Sequence, residues 1–167
     1  MMAITQYNVQ QSIAHDMQQA SVEYTRIFAA PGLLQPFLRY GIVELPDGSY
    51  KTTYTSFFDT KPRIYENVYW YHDRIAWVWT ARDIVDDLIE RAHGRYQIDS
   101  EWNNYIFRDM RFGRMLGWDT ERRGPYMFAY TINPTEGNDI HIKQRWQKST
   151  LPFPELWSRY WNRVRWN

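Results

Sequence analysis

Ile13, Met17, Ala20, Tyr24 and Ile27 recur at alternating steps of four and three, the mark of one apolar seam along a helix. This pattern predicts a helix over residues 5–29, ended by Pro31-Gly32. Its opposite face carries Gln10, Gln11, His15, Gln18 and Gln19, polar but nearly uncharged. Residues 33–40 read as a short helical or irregular piece stopped by Gly41. The period then changes. Ile42-Val43-Glu44-Leu45, the turn Pro46-Asp47-Gly48 and a Thr- and Tyr-rich return over residues 49–58 predict a hairpin. Proline presets φ for the turn, glycine accepts the positive φ that closes it, and β-branched and aromatic residues suit strands.

Residues 65–94 offer more apolar surface than any other stretch, with an aromatic first half and an acidic amphipathic second half. Two readings compete. In one, residues 65–71 and 75–79 are strands joined at His72-Asp73-Arg74, and Thr80 caps a helix over 81–93 that Gly94 ends. In the other, a single helix spans 62–93. The first is preferred, because all but one of residues 75–79 are β-branched or aromatic. Further on, Asp99 or Ser100 is expected to cap a helix marked by Trp102, Tyr105, Ile106, Asp109 and Phe112 and broken by Gly113 and Gly117. Residues 126–132 and 140–147 predict a second hairpin, and Pro152 and Pro154 open a last helix from 155 to about 165. Together these elements define an α+β class: amphipathic helices packed on antiparallel, aromatic-rich β-hairpins. Residues 1–30 are expected to form an N-terminal helical arm and 31–167 a single α+β domain.

Composition narrows the chemistry. At 167 residues the chain can bury a sizeable core without disulfides or metal. The absence of cysteine excludes a disulfide framework, thiolate catalysis and cysteine-ligated zinc or iron–sulfur. Mean hydropathy is −0.67, and no apolar run approaches the ~20 residues of a spanning helix. The opening Met-Met-Ala-Ile-Thr-Gln lacks a basic region followed by an apolar core, so classical secretion is not expected. The 9 Trp and 13 Tyr supply large rings with one polar handle each, which serve interfaces as well as cores.

Enzymatic signatures are weak. His15, His72, His93 and His141 share no metal-ligand spacing, so no metal or cofactor site is assigned. Asp83, Asp86, Asp87, Glu90 and His93 fall at helical steps that suit a divalent ion, but an acidic face beside Arg82 and Arg91 reads more simply as solvated. No serine lies in a G-x-S-x-G elbow, and no Walker or dinucleotide glycine pattern occurs.

Charge is more pointed. The net charge is only +1, yet residues 108–167 carry +5 while 1–60 and 61–107 carry −2 each. In this last third, basic and aromatic residues interleave. Arginine grips phosphate bidentately, and aromatic rings stack on bases. The candidate nucleic-acid contacts are Lys143, Arg145, Lys148, Arg159, Arg163, Arg165, Arg122 and Arg123. The candidate interface residues are Gln10, Gln11 and Gln18 on the first helix and Trp157 and Trp161 on the last. The blander reading of the last helix docks its Trp face on the core and leaves its Arg face wet.

These features point to a non-enzymatic, self-assembling structural protein that contacts the backbone of DNA or RNA, such as a virion or nucleoprotein-filament subunit. Its partners would be further copies or related subunits, its location a virion or cytoplasmic assembly. Two alternatives stand beside it: a small enzyme or ligand binder with an aromatic pocket, using His72-Asp73 and His141, and an interaction subunit without nucleic acid.

Overall fold

The computed structural model describes residues 2–32, 35–56, 58–59, 65–68, 82–101, 104–119, 124–134, 140–145 and 152–165. Among these, three helices accompany two four-stranded antiparallel sheets, an α+β fold with an N-terminal helix. The chain forms two compact units: Met1–Tyr69 with Leu116–Gly124 and Ser149–Asn167, and Trp70–Met115 with Pro125–Lys148.

The first unit begins with α1 (Met2–Gln19), then β1 (Arg26–Gly32), β2 (Gln35–Glu44), β3 (Tyr50–Ser56) and β4 (Glu66–Val68), which pair in that order. The predicted hairpin is β2–β3, with Glu44 opposite Tyr50. Gly48 closes its turn at φ 80. Ser49 donates to Asp47 Oδ1 from its hydroxyl at 2.6 Å and from its N–H at 2.9 Å. The hydroxyl first, and the N–H after it, hold the Asp47 carboxyl below the ordinary carboxylate range.

α1 lies on β1 and β2 through Val9, Ile13 and Met17, which cluster with Ala29 and Val43. Gly41 permits this approach, since a Cβ there would stand 2.5 Å from Ile13 Cδ1. The helix expected over 5–29 stops at Gln19, and Ser21 turns the chain at φ 53. Tyr24 and Ile27 of the seam do pack on the α1 cluster, but from the turn and from β1, with Val22 beside them. A seam that folds back on itself satisfies the same spacing as one long helix. The expected helical or irregular piece over 33–40 is also corrected from residue 35 on, 33 and 34 lying outside the described residues. β2 covers 35–44, with Leu38 and Tyr40 buried beside the more open Phe37 and Arg39. That is period two, the strand period.

The second unit holds α2 (Arg82–Arg91), β5 (Tyr96–Glu101), β6 (Asn104–Arg114), β7 (Tyr126–Pro134) and β8 (Ile140–Gln144), the strands again pairing in order. Val85 and Ala92 pack with Tyr96, Ile98, Phe107 and Ile132, so α2 covers one face of this sheet. α2 ends as expected near Gly94, by paired bonds: His93 N–H donates to Glu90 O at 2.9 Å and Gly94 N–H to Ile89 O at 3.0 Å. The left-handed position is taken first by His93, at φ 51. The helix expected over 99–112 is instead the β5–β6 pair, Ser100 opposite Tyr105. β6 buries positions on both faces, among them Ile106, Phe107, Asp109 and Met110, and this hides its period of two. The second hairpin is β7–β8, with Pro134 opposite Ile140. Of residues 65–79, Glu66–Val68 is strand β4, and 69–81 lie outside the described residues, Thr80 and the His72 turn included.

Candidate functional site

The chain returns to the first unit with α3 (Phe153–Arg165). Glu155 in its first turn and Arg163 and Arg165 in its last both favour the helix dipole. Tyr160 and Val164 are buried against Leu38 and Trp118. Ser56 Oγ–H donates to Val164 O at 3.1 Å, and the Tyr160 hydroxyl accepts from Phe37 N–H at 3.2 Å.

Two arginines clamp the helix. Arg159 grips Asp119 in a fork, Nε to Oδ2 at 2.6 Å and Nη2 to Oδ1 at 2.7 Å. Arg163 Nη1 donates to Asp59 Oδ1 at 2.6 Å, and its Nη2 reaches Tyr54 O at 2.7 Å. The Asp119 and Asp59 side chains are 5% and 3% exposed, so both anions sit inside the fold. Each is prearranged from its own segment. Asp119 N–H donates to Leu116 O at 2.9 Å, and Asp59 Oδ2 accepts from Ser56 N–H at 2.7 Å.

The exposed side of α3 is aromatic. Phe153 is 72% and Trp157 51% exposed. Phe153 stacks on Trp157 at 6.1 Å, Trp157 meets Trp161 edge-on at 5.5 Å, and Trp161 meets Phe37 at 5.3 Å. Phe37 is itself 37% exposed. Arg165 lies 5.1 Å over the Trp161 ring. The apolar stripe is therefore covered at its C-terminal end by the core and bare at its N-terminal end. Single exposed apolar side chains are ordinary; here two on α3, Phe153 and Trp157, lie side by side.

Against the blander reading of the last helix, Arg159 and Arg163 face carboxylates within the fold, while Trp157 faces outward. Arg165 is exposed, and Trp161 is half-buried. On α1, Gln11 and Gln18 are exposed, and Gln10 is half-buried with its amide donating to Ile27 O at 3.4 Å. Lys143 and Arg145 belong to the second unit, in and just after β8, Lys143 being exposed. Arg122, Arg123 and Lys148 lie outside the described residues. Sequence reasoning missed Phe153 and Phe37. Phe153 was legible as the first member of the i, i+4, i+8 series with Trp157 and Trp161, whereas Phe37 joins it only through the fold.

Among the described residues no three acidic or histidine side chains gather as a metal site. On α2, Asp86, Asp87 and Glu90 are exposed, and Arg91 Nε pairs with Asp87 at 2.9 Å. His72 and Asp73, and the side chain of His141, lie outside what is described. Among the described residues no helix is long and apolar enough to cross a membrane. Compared with protein-family models, with curated proteins and with solved structures, the chain matches none.

Proposed function

We propose that this protein is a structural subunit that assembles with copies of itself, in the manner of a virion or nucleoprotein-filament subunit, and that it contacts nucleic acid. The observation that carries the reading is the ring series that runs from exposed Phe153 and Trp157 to half-buried Trp161 and on to Phe37 of β2, on a helix clamped from behind by two arginine–carboxylate pairs. A rigid aromatic surface loses little conformational freedom on docking, which favours association. A second copy is a suitable occupant. A two-fold axis that sets α3 antiparallel to its counterpart opposes the helix dipoles and brings the Glu155 end alongside the Arg165 end.

Sedimentation velocity over a concentration series, with negative-stain microscopy, tests this. The expected result is a concentration-dependent assembly that Trp157→Glu dissolves without lowering the melting temperature of the dilute protein. A wild-type chain that stays monomeric throughout overturns the reading. A second reading, an interaction subunit without nucleic acid, is favoured by one observation: Arg159 and Arg163 are engaged by Asp119 and Asp59. Salt-titrated oligonucleotide binding separates the two.

A further inference from the structure

We draw no further inference here: the strongest candidate, the surface patch that Phe153 and Trp157 form at the N-terminal end of α3, belongs to the site already described, and nothing in the structure shows a further partner that covers it.

Discussion

At the scale of single residues, Tyr160 has the most to hold. Its ring lies edge-on to Trp118 at 5.8 Å, and its hydroxyl accepts from Phe37 N–H. Burial pushes its phenol above the ordinary tyrosine range, against the smaller opposing pull of that hydrogen bond. The folded state therefore holds the phenol proton more tightly than the unfolded chain does. The stabilisation is fully present below the unfolded value of about 10 and is lost as pH rises through the raised folded value. Two results are expected. Tyrosinate absorbance should show one late-ionising tyrosine in wild type that is missing in Tyr160→Phe. Urea stability should fall more steeply from neutral to strongly alkaline pH in wild type. At neutral pH the same substitution removes one hydrogen-bond acceptor, at a cost of about 1 kcal/mol. Equal alkaline losses in the two proteins would show that Tyr160 does not couple α3 to pH.

At the scale of elements, α3 is a clamped helix, and its clamps are its weakest chemistry to disturb. Asp59→Ala would leave Arg163, whose side chain is 14% exposed, facing Tyr54 O without its anion. Removing one partner of a buried pair costs on the order of 3–5 kcal/mol, far more than the net worth of the pair. The urea midpoint should fall accordingly with the slope unchanged, and Asp59→Ala/Arg163→Met should recover part of the loss. No recovery would mean that Asp59 acts through the Ser56 N–H rather than through Arg163. These clamps also show what the sequence could reveal. The β2–β3 hairpin was legible because Pro46-Asp47-Gly48 is a local device, and α2 because its stop is local too. The β5–β6 pair was not. Tyr105, Ile106, Asp109 and Phe112 sit at steps a helix shares, and a strand buried on both faces shows no alternation. For the site, the aromatic series of α3 could be read from its spacing. The fate of its arginines could not, since Asp119 and Asp59 stand 40 and 104 residues away in sequence.

At the scale of the whole molecule, the order of the chain decides which parts depend on which. The first unit is assembled from three stretches and the second from two, so the path passes from one unit to the other four times. Leu38 and Trp118 of the first unit take Tyr160 and Val164 from the end of the chain as core partners. The second unit takes its core from Val85, Ala92, Tyr96, Ile98, Phe107 and Ile132, all of them internal to the chain. Removing residues 152–167 should therefore act unequally. It exposes Leu38 and Trp118, leaves Asp59 and Asp119 as buried carboxylates without their arginines, and frees the Ser56 hydroxyl. Amide exchange read by mass spectrometry should show protection lost in β2 and β3 and in residues 116–119. Protection in β5, β6 and β7 should persist, because opening free energies follow local packing units. Uniform loss across both sheets would show that the two units unfold as one cooperative body, with α3 holding the stability of the entire chain. Unchanged protection in β2 and β3 would show instead that α3 is an appendage whose arginine clamps contribute nothing to the sheet beneath them.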